Sequence, residues 1–177
     1  MLHLWCSFVV AFNNEESLLA WAAGLFDGEG TIYSANGRVR ASVHMTDLDV
    51  LETFHSNFGG AIHKCKKQKE HHKESWRWSL QASSEAVNFL KKILPFLHNR
   101  RTKRAKEAIE YYNIVEQQQK DKQGKVLELR SKIAKMSKSG MTHKDISILF
   151  NVDRSYVTRI LNGKYGDVRE LVEPGTL

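Results

Sequence analysis

Asn36-Gly37 constrains this chain more than any other pair of residues. The dipeptide suits the two positive-φ positions of a type I′ turn, whose twist matches a pair of antiparallel strands. The residues after it alternate: Val39, Ala41, Val43 and Met45 fall on one face, and Arg38, Arg40, Ser42 and His44 on the other. Thr31 to Ala35 is the partner strand before the turn. One face of this hairpin is therefore core and the other polar and cationic.

Helices flank the hairpin. Asn13, with Glu16 three residues on, predicts the start of a helix carrying Leu18, Leu19, Ala22, Ala23, Leu25 and Phe26, ended by Gly28 and Gly30. Thr46 and Asp47 open a second helix that runs through Phe58 and closes at Gly59-Gly60. A basic strand over 61–67, a polar connection and an alternating strand from Ser75 to Gln81 follow. In the last, Trp76, Trp78 and Leu80 oppose Ser75, Arg77 and Ser79. Ser83 or Ser84 then caps a helix to about Leu94, Pro95 punctuates it, and a basic, then amphipathic helix covers about Asn99 to Gln118. The order is αββαββα, an α+β fold with an antiparallel sheet.

The expected division is an N-terminal extension over 1–13, a main domain over 14–118 and a polar linker over 119–125. A small all-α unit over 126–166 and a tail over 167–177 complete it. In the small unit, Val126, Leu129, Ile133 and Met136 mark one helix, and Gly140-Met141-Thr142 turns into Ile146, Leu149 and Phe150. Asn151-Val152-Asp153 then caps Arg154 to Leu161. Two short helices joined by a tight turn have helix-turn-helix spacing, with Arg154, Ser155, Tyr156 and Arg159 near the start of the second. The plainer alternative is a helical tail packed on a partner.

Charge is unevenly placed within the formal total of +7. Residues 1–60 hold two bases and seven acids, whereas 61–106 hold thirteen bases and three acids. A polyanion site belongs mainly to the middle of the chain. The apolar opening, Met1 to Val10, lacks a basic n-region and is too short to span a bilayer, so no membrane association is expected. Cys6 and Cys65 exclude a disulfide scaffold and suit a reducing, intracellular setting. His63, Cys65, His71 and His72 have a spacing open to zinc, but no second cysteine pair accompanies them and neighbouring lysines repel a cation.

Chemistry concentrates in Trp21-Ala22-Ala23-Gly24-Leu25-Phe26-Asp27-Gly28-Glu29-Gly30-Thr31. Small residues at 22–24 permit close helix approach, and a glycine-flanked acidic pair follows where helix gives way to strand. Carboxylates there suit a hard cation such as Mg²⁺; the bare alternative is a loop with two solvated acids. An EF-hand does not fit, because Thr31 stands at the fifth loop position in place of Asn or Asp and Arg38 at the twelfth in place of Glu.

Ala22 to Gly30 resembles the signature of the LAGLIDADG homing endonucleases, and the resemblance extends through the element order to Pro95-Phe96-Leu97 and the basic run after it. One motif copy is present, which in that family implies a homodimer acting on double-stranded DNA with Mg²⁺, or Mn²⁺ as substitute. The resemblance implies Ala22, Ala23 and Gly24 at the two-fold interface, Glu29 and the Gly28 carbonyl as metal ligands, and Asp27 as a helix-end support. It implies Asp47 organising the attacking water and Arg100, with Arg101 or Lys103 as alternates, beside the scissile phosphate. Glu29 replaces the commoner Asp, and Arg100 the usual Lys, which keeps the charge and removes proton transfer.

The polar strand residues Tyr33, Arg38, Arg40, Ser42, His44, Lys64, Lys66, Arg77 and Ser79, with Arg101, then form a DNA-binding saddle. Site-specific cleavage in a bacterial, phage-infected or organellar setting, often from an intron, is the implied activity. A non-cleaving transcription regulator or intron maturase, the latter with RNA as partner, is the alternative.

Overall fold

The computed structural model describes residues 12–67, 71 and 73–165. The expected tail over 167–177 and nearly all of the 1–13 extension lie outside these residues. The chain divides into two units, Met1–Glu116 and Gln117–Leu177.

The first unit runs α1 (Glu15–Glu29), β1 (Gly30–Ala35), β2 (Arg38–Met45), α2 (Leu48–Phe58), β3 (Ala61–Lys64), β4 (Trp76–Leu80), α3 (Ser83–Ile93) and a 3₁₀ turn (Leu94–Phe96). Helix α4 (Asn99–Lys138) begins in this unit and continues into the second, where α5 (His143–Leu149) and α6 (Arg154–Leu161) follow. The fold is mixed α/β, with one four-stranded antiparallel sheet and six α-helices among the described residues.

The sheet order is β1-β2-β4-β3, so β4 lies between the two strands that precede it. Asn36 and Gly37 take φ of 53° and 72° at the hairpin tip, as the dipeptide requires. Val39, Ala41 and Val43 are fully buried while Arg38 and His44 are exposed, so the period-2 reading of β2 holds. The buried face meets Phe26 of α1, Leu51 and Phe54 of α2, and Phe89 and Leu90 of α3. Trp78 is central to this core, 4.9 Å from the Phe54 ring and 5.2 Å from Phe89. Its indole N–H donates to the Gly59 carbonyl at 2.8 Å.

Three local expectations are corrected. Asn14, not Asn13, caps α1, accepting from the Ser17 N–H. Ser83 does not cap α3: its hydroxyl accepts from the Val39 N–H at 3.0 Å and ties helix to strand, while Ala82 holds the cap position. The segment 119–125 is helical within α4. Its Gln, Lys and Asp residues are compatible with a helix, Gln117 bonds Asp121 at 2.8 Å one turn on, and Gly124 alone carries a cost of about 1 kcal/mol.

Gly30 is required by close approach. A Cβ there would overlap the ring and carbonyl of Phe26, which is fully buried and lies 5.4 Å from the Phe89 ring. Gly30→Ala is therefore expected to lower stability by about 1–3 kcal/mol, read as a reduced urea midpoint. Gly28→Ala, with nothing within 4 Å of the added carbon, should leave that midpoint unchanged or raise it.

Candidate acidic site and cationic face

Helix α1 ends at Glu29 because Gly30 turns the chain into β1, its N–H still bonding the Phe26 carbonyl. The two acids of this last turn have different fates. Asp27 is 16% exposed and accepts from the His98 backbone N–H at 3.0 Å and from His98 Nδ1 at 2.8 Å. Its own carbonyl accepts from Arg101 Nε at 3.2 Å. Glu29 is exposed and has no side-chain partner among the described residues. The Asp27 carboxylate is thus engaged at the start of α4, where its side-chain bonds lie, and Glu29 is left available.

The bases divide in the same way. Arg101, expected as a DNA contact, is half-buried and bound to α1, while Arg100 and Lys103 are exposed. Asp47 sits at the N-cap of α2, exposed and without a side-chain cap bond. Since Gly30 pairs with Val43, Glu29 leaves α1 at the end of β2 that leads through His44 and Met45 to Asp47.

Strand pairing sorts the polar face into rows. Tyr33 stands opposite Arg40, whose guanidinium lies 5.8 Å from the Tyr33 ring centre. His44 stands opposite Arg77, and Arg77 opposite His63, giving a His–Arg–His row across three strands. His44 Nε2 lies 3.0 Å from Ser75 Oγ. A cleft of about 630 Å³ opens along this side, lined by His44, His63, Lys67, Lys73 and Arg77 among others.

Lys64, Lys66 and Ser79 also line this cleft, each in a different setting. Lys64 pairs with Trp76 and so shares the tryptophan face; its ammonium lies 5.2 Å from the Trp76 ring centre and 2.7 Å from Glu74. Through that hydrogen bond Lys64 holds the Glu74 carboxyl below the usual carboxylate range. Lys66 lies beyond the end of β3, where strand alternation no longer assigns a face. Ser79 is 3% exposed, its hydroxyl accepts from Gln81, and it forms part of the cleft floor. Ala22 and Ala23 have no accessible surface, being consumed by the unit's own core, and cannot be offered to a second copy. Gly24 is exposed, with open space beside it. His63 and His98 are the functional candidates that sequence reasoning did not assign.

In the second unit, Ile133, Ala134, Ile146, Val157 and Ile160 close a small core under α5 and α6. The connecting turn places Asn151 at φ 50°, and Asp153 caps α6 by accepting from the Ser155 N–H at 2.6 Å. Bonding to Ser155 lowers the Asp153 pKa. Arg154 and Arg159 are exposed. Tyr156 is instead half-buried against the core, and Ser155 is engaged by Arg159 through its hydroxyl and carbonyl.

No protein-family model and no curated relative matches the chain. Among solved structures, the chain is similar to the homing endonuclease I-CvuI in complex with the I-CreI target in the presence of Mg. That match has 20% identity over 54% of this chain and 65% of the other, with a TM-score of 0.41. In this alignment the chain spans just under two thirds of the neighbour's length. A second I-CvuI complex, with its own target and Ca, matches at 20% identity over 86% of this chain and 90% of that one, TM-score 0.44. The archaeal intron-encoded homing endonuclease I-Vdi141I, complexed with DNA, matches at 16% identity over 84% and 97%, TM-score 0.43.

Among the described residues, no three His, Cys, Asp or Glu side chains gather as a metal cage. Glu29, exposed at the end of α1, and the backbone carbonyls of that turn offer oxygen atoms only. That chemistry fits Mg²⁺, which keeps several waters and is commonly held by one or two carboxylates plus substrate phosphate. No helix among the described residues is long and apolar enough to cross a membrane.

Proposed function

We propose that this chain is a divalent-metal-dependent endonuclease that grips double-stranded DNA on the polar face of its sheet and cuts it site-specifically as a homodimer. The observation that carries the reading is the sorting of charge at the junction of α1 and α4. Asp27, His98 and Arg101 are spent on locking the two helices together, and Glu29 and Arg100 are left exposed beside them. Free acid and free base at one junction, next to a cationic cleft, suit phosphodiester hydrolysis.

Each part has a role. Glu29 and the Gly28 carbonyl would hold Mg²⁺ or Mn²⁺, which when bound would supply neutralisation of the charge that develops on the phosphodiester. Arg100 stabilises the phosphorane-like charge, which needs position and no titration. Asp47 orients water, and Lys103 adds positive charge on the next turn of α4. Arg38, Arg40, His44, His63 and Arg77 hold the duplex. One carboxylate per chain is too few for two strands, and a second copy would bring the other; exposed Ala20, Gly24 and Gly28 at four-residue spacing give α1 a narrow face for that approach. Arg154 and Arg159 of α6 extend the contact through a helix-turn-helix.

The test is binding and cleavage of a duplex library. With about six phosphates engaged, affinity should fall on the order of a thousandfold between 50 and 200 mM salt, and Mg²⁺ or Mn²⁺ should produce double-strand cuts at one sequence. Tight, sequence-selective binding in EDTA with no cutting in either metal would favour the non-cleaving regulator. Weak salt dependence would remove nucleic acid from the reading altogether.

A further inference from the structure

A duplex lying on a sheet is read by side chains that reach base edges and still have free hydrogen-bond donors. Many cations of the first unit do not. Lys64 is bonded to Glu74, Lys92 to Glu15, Arg104 to Glu107 and Arg101 to the Asp27 carbonyl. Arg40 and Arg77 differ from these. Neither has a carboxylate or carbonyl partner among the described residues, and they belong to β2 and β4, the two inner strands of the sheet. Arg40 Nε is shielded from solvent and unbonded, so that guanidinium has a donor to satisfy.

The surroundings of each give it direction. Arg40 stands opposite Tyr33, with its guanidinium 5.8 Å from the ring centre, an arrangement that attracts a cation to the ring face. Arg38, at the hairpin tip, has no such ring beside it among the described residues. Arg77 stands in register between His44 and His63, neither of which brings a negative charge. Between the two arginines the surface is low, because Ser42 stands opposite Ser79, which is 3% exposed. Two long cationic side chains therefore rise on either side of a row of short ones. A major groove about 12 Å wide admits two strands about 5 Å apart, so the inner pair suits the base edges and the outer strands the backbones.

A guanidinium has five donors and no acceptor. In the major groove guanine offers two neighbouring acceptors, O6 and N7, whereas adenine sets a donor beside its N7. We propose that Arg40 and Arg77 each read one guanine, so that the DNA under one copy of the chain carries two guanines three or four base pairs apart. The inference rests on the reading that duplex DNA lies on this face. The spacing follows from register. Arg77 stands beside His44, four residues along β2 from Arg40, or about 13 Å at the rise of a strand. Base pairs succeed one another about every 3.4 Å along the duplex, and somewhat farther apart along its groove.

The test is selection of bound duplexes from a randomised library in Ca²⁺, using the full chain, Arg40→Met and Arg77→Met. Methionine keeps an apolar stem and removes the fork. The parent chain should enrich sites with two guanines at that spacing. Each variant should lose the preference at one guanine alone, by roughly 5- to 150-fold, with the salt dependence of affinity unchanged. Arg77→Gln, which offers a donor and an acceptor, should exchange guanine for adenine at the same position, a change that loss of folding cannot imitate. Retention of both guanines by the variants overturns the inference and leaves DNA binding standing. So does weakening of all sequences alike with a salt slope shallower by about one, the mark of a phosphate contact. Guanine selection without cutting in Mg²⁺ supports the inference and overturns the nuclease reading. A parent chain that binds no duplex overturns both.

Discussion

Glu29→Gln is expected to bind DNA as tightly as the parent chain and to cut it on the order of a thousandfold more slowly, the rate equivalent of the several kcal/mol that a bound cation contributes to a transition state. The substitution is nearly isosteric and removes one negative charge. Because Glu29 is exposed and has no side-chain partner among the described residues, its loss should not alter folding. That separates it from Asp27→Asn, which disturbs the bonds to the start of α4. Single-turnover cleavage and thermal melting of the same preparation distinguish the two. A Glu29→Gln chain that cuts at the parent rate would remove Glu29 from the reaction.

Trp78→Ala carries the largest expected loss of stability, about 3–5 kcal/mol. The side chain is fully buried between Phe54 and Phe89, and its N–H satisfies the Gly59 carbonyl at the sharp turn into β3. Deletion would leave a cavity and an unpaired carbonyl together. Against a typical reserve of about 5–15 kcal/mol, such a loss leaves a large fraction of molecules near unfolding at physiological temperature. Trp78→Phe keeps most of the packing and loses the hydrogen bond, so its urea midpoint should fall between parent and alanine variant. An unchanged midpoint in Trp78→Ala would show that the core does not depend on this ring.

The fold was legible where local chemistry permits few conformations. Asn36-Gly37 and the alternation of β2 leave little freedom, and the element order follows from them. Strand β3 was harder: four residues between a double-glycine turn and a polar connection show too short a pattern to set phase. Ile62 held the signal, since it pairs with Trp78 and thereby draws Lys64 to the apolar side. Glu29 and Arg100 could be selected from the signature and the basic run. The Asp27–His98 bond could not, because it joins residues 71 apart and has no local pattern. Ala22 and Ala23 show the opposite difficulty. Small residues on a helix suit a partner chain and a crowded core equally, and here the core takes them.

The Tyr111 hydroxyl accepts from the Gly37 N–H at 2.7 Å. A hairpin tip is ordinarily the loosest point of a sheet, where insertions and protease nicks are tolerated. This one is anchored to α4, the helix that His98 and Arg101 anchor to the end of α1. Thirteen residues of helix separate the anchors, about 20 Å. The first part of α4 therefore acts as a splint with a fastening at each end. Lengthening the hairpin by even a residue or two would unfasten one of them, and the slack would be felt at the distant end that holds the acidic site.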